Sequence, residues 1–264
     1  MSVAAGQDTI AAAFAASGKR AALMPYLMGG FPDIETSRAI GEAYAESGAD
    51  LVELGVPFSD PLADGPVIHA AGTAALAAGA TVHGVLEVGR ALADAVPVVL
   101  MCYANLVLAR GAERFAGDLA TRGISGLIVP DLPLEEAGEA LAACDAAGIA
   151  LVALVAPTTP DARLAAIGSS ARGFVYTVSV TGTTGEREGL AGDLPAILAR
   201  TKAYFDVPVA VGFGIGTPAA AGEAAAAGAD GVIVGSRLVR AAAETAEPAA
   251  AVRELVADFA AALR

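Results

Sequence analysis

The chain of 264 residues is 55% hydrophobic and has a formal net charge of −13. Charged residues, glycine and proline interrupt its apolar stretches before the roughly 18 residues that a bilayer span requires, so the sequence indicates a large core and no membrane span. The acidity argues against a nucleic-acid partner, but it allows a phosphorylated substrate, because main-chain N–H groups at a helix N-terminus bind phosphate.

Two features of the sequence predict a cytoplasmic location. The N-terminal segment lacks the basic start and apolar core of a signal peptide, because Asp8 comes early and Lys19 and Arg20 come late. The two cysteines, Cys102 and Cys144, are too few for a disulfide scaffold. Both are predicted to be reduced core thiols.

Short runs rich in Val, Ile and Leu alternate with longer alanine-rich stretches along the whole sequence. Eight runs are predicted strands: Ala22–Met28, Asp50–Leu54, Pro97–Tyr103, Gly126–Val129, Ile149–Val155, Gly173–Thr177, Val207–Val211 and Asp230–Val234. Most are continuously apolar, which is typical of parallel strands covered on both faces. The covering helices include Glu35–Ser47, Glu135–Ala147, Thr217–Ala227 and Ala249–Leu263.

Glycine marks the ends of several predicted helices. Gly48, Gly123, Gly148 and Gly228 each stand just before a predicted strand, where a left-handed residue stops a helix. A strand, loop and helix unit that recurs eight times predicts a (β/α)8 TIM barrel, with a doubly wound open sheet as the alternative. We expect one α/β domain over residues 1–264.

The stretch from Leu51 to Gly65 carries the strongest functional signal. Glu53 lies in a strand predicted to be buried on both faces, where a carboxylate is costly unless something there requires it. A buried ion pair with an arginine is one explanation. Because Glu53 stands near the carboxyl end of its strand, where barrel enzymes place catalytic groups, we favour an acid–base role with a raised pKa.

The loop after this strand has two more carboxylates, and its prolines and glycine give it defined turns. Asp60 stands between Ser59 and Pro61, a placement suited to capping a turn, and we interpret it as structural. Asp64 is predicted to be functional, as a fixed acceptor for a substrate N–H.

Three segments after the sixth, seventh and eighth strands predict a phosphate site. The stretch from Tyr176 to Gly185 is rich in small polar residues and predicts a mobile lid, with a plain solvated loop as the alternative. The turns Gly212–Thr217 and Gly235-Ser236 follow the last two strands. Barrels frequently bind phosphate there, at the N-terminus of a short helix.

Other residue types argue against other chemistries. Lys19 and Lys202 are the only lysines, and neither follows a predicted strand, which disfavours a Schiff-base aldolase. His69 and His83 have no metal-ligand cluster around them in the sequence and are interpreted as surface or packing residues. No Gly-x-Ser-x-Gly elbow occurs. Carboxylate acid–base chemistry remains.

These motifs resemble the alpha subunit of tryptophan synthase over nearly the whole chain. The run from Leu51 to Gly65 matches that family's pattern throughout, and further matches follow in order: Tyr103-Ala104-Asn105, Pro130-Asp131-Leu132-Pro133, Gly212-Phe213-Gly214-Ile215 and Gly235-Ser236. The resemblance implies a TIM-barrel lyase that cleaves indole-3-glycerol phosphate to indole and glyceraldehyde 3-phosphate. It implies no cofactor in this subunit.

The resemblance also implies roles for single residues. Glu53 would be the acid–base group, Asp64 would bind the indole N–H, and Tyr176 would lie close to the substrate. The implied phosphate site comprises Gly185, Phe213, Gly214, Gly235 and Ser236. Val180 departs from the pattern, since some members carry an arginine after the lid serine, and no contact of that arginine is carried over.

The family's partner is a beta subunit that contains pyridoxal phosphate and receives indole through a tunnel in an α2β2 complex. Four residues match positions associated with that interface or its signalling: Pro57, Asp60, Asn105 and Pro133. Two rival functions are another phosphate-binding barrel, such as an indole-glycerol-phosphate synthase or a sugar-phosphate isomerase, and a non-catalytic ligand-binding barrel. Lysine scarcity disfavours the synthase, and a non-catalytic barrel would not need Glu53.

Overall fold

The computed structural model describes residues 6–178, 193–212 and 214–264. Eight parallel strands pair in sequence order and close into a barrel, with β1 beside both β2 and β8. The strands are β1 (Ala22–Met28), β2 (Val52–Gly55), β3 (Val98–Met101), β4 (Gly126–Ile128), β5 (Ala150–Val155), β6 (Val175–Val178), β7 (Val209–Gly212) and β8 (Gly231–Val234). The predicted barrel is confirmed, and the open sheet is wrong.

Helices surround this barrel in the described ranges. They are α1 (Gly6–Ala16), α2 (Ile34–Glu46), α3 (Pro66–Ala77), α4 (Val82–Leu92), α5 (Ala104–Arg110), α6 (Ala112–Ala120), α7 (Gly138–Ala147), α8 (Asp161–Gly168), α9 (Leu194–Lys202), α10 (Pro218–Ala226), α11 (Ser236–Ala243) and α12 (Pro248–Ala262). Ile10 of α1 is fully buried in the cluster that fills the barrel interior. Helix α1 therefore closes the amino-terminal end of the barrel.

The glycine helix stops are confirmed. Gly48, Gly123, Gly148 and Gly228 have φ values of 102°, 71°, 75° and 100°, a conformation that L side chains rarely adopt. The start of α7 differs from the prediction by three residues. Residues 134–137 form turns first, because the N–H of Ala137 bonds to the carbonyl three residues before it instead of four.

Two aspartates tie neighbouring strands together at the amino-terminal end of the barrel. Asp50 accepts a hydrogen bond of 2.7 Å from a main-chain N–H of β1 and forms an ion pair with Lys19 at 2.9 Å. Asp230 accepts a hydrogen bond of 2.8 Å from a main-chain N–H of β7 and forms an ion pair with Lys202 at 2.6 Å. Both lysines are thus held at the end of the barrel opposite the strands' carboxyl ends.

The cysteines and histidines lie as the sequence predicts. Cys102 and Cys144 are buried free thiols, while His69 in α3 and His83 in α4 are exposed. Within the described residues, no single helix is long and apolar enough to cross a bilayer. Helices α3 and α4 reach that length and composition only as a pair, and they are bent by 109° to each other.

Candidate active site

A cavity of about 520 Å³ opens at the carboxyl ends of the strands. The predicted site residues in its wall are Glu53, Asp64, Tyr176, Gly214, Gly235 and Ser236. Apolar side chains from four strands complete the wall: Met101, Ile128, Leu154 and Ile233. The barrel therefore brings carboxylates and glycine turns that are distant in sequence to one apolar chamber, of the size of ordinary ligand pockets.

Glu53 lies inside the barrel, on β2, with 2% of its surface exposed. Its Oε2 has no hydrogen-bond partner. Burial, followed by the negative charge of Asp64, raises the pKa of Glu53 from 4.5 to about 8. No described basic residue offsets this shift, so the ion-pair explanation is wrong for the described part of the chain. Glu53 faces the cavity, and its raised pKa favours the protonated form at neutral pH.

Asp64 lies in the loop after β2 and is held by a residue from the next strand's loop. The Tyr103 hydroxyl donates to Asp64 Oδ1 at 2.9 Å and accepts from the main-chain N–H of Ala63 at 3.1 Å. Phe58 stacks on the Tyr103 ring, with centroids 5.3 Å apart. Burial raises the pKa of Asp64, while the Tyr103 hydrogen bond and the charge of His69 lower it.

The loops after β3 and β4 are joined by a side-chain cap. Helix α5 begins after Tyr103, whose own side chain caps no N–H. Asp131 supplies the acceptor instead, since its Oδ1 accepts a hydrogen bond of 2.8 Å from the N–H of Ala104. Tyr103 and Asp131 were both in motifs of the sequence analysis without an assigned role. The signal that was missed is that strand-end loops of a barrel contact their neighbours.

Two tyrosine hydroxyls each occupy the space that a side chain would take at a glycine of the neighbouring strand. A Cβ added to Gly55 would lie 2.0 Å from the hydroxyl of Tyr26, and one added to Gly212 would lie 2.3 Å from that of Tyr176. Burial raises the pKa of both tyrosines, and the negative charge of Glu53 adds to it. Tyr176 lines the cavity from β6 and does not lie in a lid. Tyr26 was missed by the sequence analysis.

The predicted phosphate turns are only partly described. Gly214 has φ 82°, and Gly235 precedes α11, whose N–H groups of Leu238 and Val239 bond to the Gly235 carbonyl at 2.9 and 3.1 Å. The earlier N–H groups of the helix have no carbonyl partner within it. Gly185, Phe213 and Val180 lie outside the described residues, with the rest of the predicted lid beyond β6.

The predicted partner residues surround the same rim. Asp60, Asn105 and Pro133 are exposed, on the loops after β2, β3 and β4, whereas Pro57 is buried beneath them. Ser59 donates its hydroxyl to the Asp60 carboxylate, a contact within the loop after β2. Across the described ranges, no group of three or more His, Cys, Asp or Glu side chains is arranged to hold a metal ion.

Comparison with known sequences assigns the chain to one family. A family model described as tryptophan synthase alpha chain matches residues 13–263. A tryptophan synthase alpha chain from Prochlorococcus marinus is 50% identical over 223 residues, which cover 84% of this chain and 81% of that one. One from Methanosarcina mazei is 49% identical over 222 residues, with coverage of 84% and 81%.

Solved structures agree with this assignment. A chain of Mycobacterium tuberculosis tryptophan synthase superimposes with a TM-score of 0.88 at 42% identity, covering 98% of this chain and 96% of that one. A chain from the Pyrococcus furiosus tryptophan synthase α2β2 complex gives 0.86 at 36% identity, covering 91% and 98%. The match of sequence and fold over nearly the full length means that this chain belongs to the tryptophan synthase alpha chain family.

Proposed function

We propose that this chain cleaves indole-3-glycerol phosphate, the reaction of its family, with Glu53 as the acid–base group and Asp64 as the acceptor of the indole N–H. One observation carries the proposal. A buried carboxyl group with an unpartnered oxygen and a pKa raised to about 8 faces the same cavity as the N-terminus of α11. An acid at one end and an anion site at the other suit an aromatic ring linked to a phosphate.

The first step is protonation of indole C3. Glu53 holds its proton at neutral pH because burial raises its pKa, and it delivers the proton to the ring carbon. The ring nitrogen then carries positive charge. Asp64 accepts the N–H hydrogen bond and stabilises that charge, and the Tyr103 hydroxyl keeps Asp64 in place.

The second step breaks the carbon–carbon bond. The Glu53 carboxylate takes the proton of the hydroxyl on the carbon next to the ring, a carbonyl forms there, and the bonding electrons return to the ring as indole. C3 protonation itself creates the electron sink, so the step requires no cofactor, and pyridoxal phosphate is expected only in the partner. Glu53 ends the cycle protonated again.

We assign the substrate phosphate to the turns after β7 and β8. The first main-chain N–H groups of α11, at Ser236 and beyond, combine with the positive end of the helix dipole to bind an anion without a basic side chain. Gly214 and Gly235 allow the main chain to approach closely. Gly185 and Phe213 stay predictions of the same site, and Tyr176 is assigned to the substrate's ring end.

We propose that the rim around Asp60, Asn105 and Pro133 binds a tryptophan synthase beta chain. The Pyrococcus furiosus relative is part of an α2β2 complex. Two large apolar side chains flank these residues and are exposed, Leu62 at 77% and Leu108 at 69%, as is common at partner surfaces. A cytoplasmic location stays a prediction, supported by the two free buried thiols.

The decisive experiment mixes purified protein with indole-3-glycerol phosphate and measures indole, alone and with a beta chain. We expect indole from the wild type and at least about 1,000-fold less from Glu53→Gln, which removes the transferable proton. Glu139→Gln, on the exposed face of α7, is the matched control and should keep wild-type turnover. Absence of indole in both wild-type mixtures would refute the proposal.

The partner surface has its own test. Leu108→Lys should weaken beta-chain binding about 10-fold or more by placing a charge in the apolar part of the surface, while turnover of the isolated chain stays unchanged. Binding is measured by calorimetry. Leu76→Lys serves as control, because Leu76 is also exposed but lies on α3 instead of α5. Equal binding by wild type and Leu108→Lys would place the interface elsewhere.

A further inference from the structure

Tyr26 stands beside the acid–base group on the neighbouring strand. In the register of β1 and β2, Tyr26 lies opposite Glu53, and it lines the active-site cavity with 5% of its surface exposed. Its main chain is held from the helix side of the sheet, since the hydroxyl of Tyr44 on α2 donates a hydrogen bond to the Tyr26 carbonyl at 3.2 Å. The tyrosine is thus a positioned part of the chamber wall.

The Tyr26 hydroxyl lies just above Glu53. Side chains two residues apart on a strand point to the same face, so the missing side chain of Gly55 would project into the barrel one layer above Glu53. The Tyr26 hydroxyl occupies that space, 2.0 Å from where a Cβ of Gly55 would be. The phenol therefore lies between Glu53 and the mouth of the cavity.

This hydroxyl has no strong hydrogen-bond partner among the described residues. Its contact is with the sulfur of Met28 at 3.9 Å, and a thioether is a weak acceptor. Oε2 of Glu53 also lacks a partner. The buried phenol and the buried carboxyl group lie on adjacent strands and line the same cavity, so each can still form a hydrogen bond to a polar atom of a bound molecule.

We propose that the Tyr26 hydroxyl is a third catalytic group, which donates a hydrogen bond to the substrate hydroxyl oxygen that Glu53 deprotonates. This inference rests on the proposed function. As the proton moves from that oxygen to the Glu53 carboxylate, the carbon–carbon bond breaks and the oxygen becomes the carbonyl oxygen of the aldehyde. Tyr26 keeps its own proton throughout and stabilises the negative charge that develops on the oxygen.

The electrostatics of the site suit a donor that never ionises. Burial is the main cause that raises the pKa of Tyr26, and the negative charges of Asp64 and Glu53 add to it. The raised pKa keeps the phenol neutral around neutral pH, so its proton is available for donation. A tyrosine that merely filled space would need the ring and not the hydroxyl, so removing the hydroxyl alone separates the two roles.

The test compares Tyr26→Phe with the wild type and with Tyr204→Phe, which removes a phenol hydroxyl outside the cavity lining. We expect kcat for indole formation to fall about 10-fold in Tyr26→Phe, with a melting temperature close to that of the wild type. A substrate analogue with a propyl phosphate chain and no hydroxyls should bind wild type and Tyr26→Phe within about twofold. Tyr204→Phe should match the wild type throughout.

Three outcomes would overturn the inference. Wild-type kcat in Tyr26→Phe shows that the hydroxyl makes no contact in the transition state. Analogue binding that weakens as much as turnover shows that the ring has shifted, which is a structural role. In both cases the wild type still makes indole, so the proposed function stands. A wild type that makes no indole removes the proposed function, and the donor role with it.

Discussion

The hydroxyl of Tyr103 donates a 2.9 Å hydrogen bond to Oδ1 of Asp64, joining the loops after β3 and β2. Asp64 has no other side-chain hydrogen-bond donor in the described part of the chain. The position of the group assigned to the indole N–H therefore depends on a residue 39 positions away in the sequence.

Tyr103→Phe tests this dependence. The ring and its stacking with Phe58 remain, but the hydrogen bond to Asp64 is lost, and we expect kcat/KM to fall about 10-fold. Because that bond lowers the pKa of Asp64, its loss should also move the acidic limb of the pH–rate profile to higher pH. An unchanged acidic limb would show that Tyr103 does not act through Asp64.

The pH dependence of kcat/KM should be bell-shaped. The first step needs Glu53 protonated, so activity falls as the pH rises through about 8, the pKa to which burial and Asp64 raise this group. The same step needs Asp64 ionised, so activity also falls as the pH drops through the raised pKa of Asp64. Steady-state kinetics between pH 5 and 9.5 test this, and activity that keeps rising above pH 9 would contradict the assignment of Glu53 as the acid.

Glu53 should also lower the stability of the fold as the pH rises. The ordinary pKa of a glutamate side chain is 4.5, and burial and the charge of Asp64 raise that of Glu53 to about 8 in the folded state, so the folded state binds the extra proton in this range. The stabilisation is complete below about 4.5 and is lost as the pH rises through about 8, a difference of roughly 5 kcal/mol. Urea unfolding from pH 5 to 8 should show wild type losing stability relative to Glu53→Gln, and parallel curves would contradict the raised pKa.

Gly55 should be required because of Tyr26. A Cβ at position 55 would lie 2.0 Å from the Tyr26 hydroxyl and 2.6 Å from its ring carbon Cζ, so Gly55→Ala forces the ring aside and should cost about 1–3 kcal/mol of stability. The double variant Gly55→Ala with Tyr26→Leu removes the clash and should recover most of that loss, but not activity. Additive losses in the thermal unfolding of the two single variants and the double would show that they do not interact.

The fold was predictable because its signals are local. Strands buried on both faces are continuously apolar, and glycines such as Gly48 and Gly228 mark helix ends by a conformation that few other residues adopt. Strand ends were less accurate. The predicted strand from Asp50 begins at Val52, because the N–H groups of Asp50 and Leu51 both bond to the Leu23 carbonyl while the chain is still turning.

The site was predictable only where chemistry and local context conflict. Glu53 could be identified because burying a carboxylate in an apolar strand is costly unless it has a function. Tyr26 could not, since an aromatic residue in a strand is typical of the core. Only the register with β2 places its hydroxyl near Glu53. The buried position of Pro57 and the bond from Tyr103 to Asp64 depend on how loops from different strands pack, which no local pattern records.

The two aspartates at the amino-terminal end of the barrel should differ in their contribution to stability, although both follow the same Gly-Ala pair. Asp50 and Lys19 each have 9% of the side chain exposed, whereas Asp230 and Lys202 have 39% and 38%. Breaking a buried pair leaves an uncompensated charge and an unpaired main-chain N–H, so Asp50→Ala should cost about 3 kcal/mol or more. Asp230→Ala should cost about 1 kcal/mol, because water screens the exposed pair and replaces the lost acceptor.

Both aspartate variants should keep wild-type kcat, since they lie at the end of the barrel away from Glu53. Thermal unfolding with parallel indole assays measures this, and equal losses of stability would show that burial does not set the strength of these pairs.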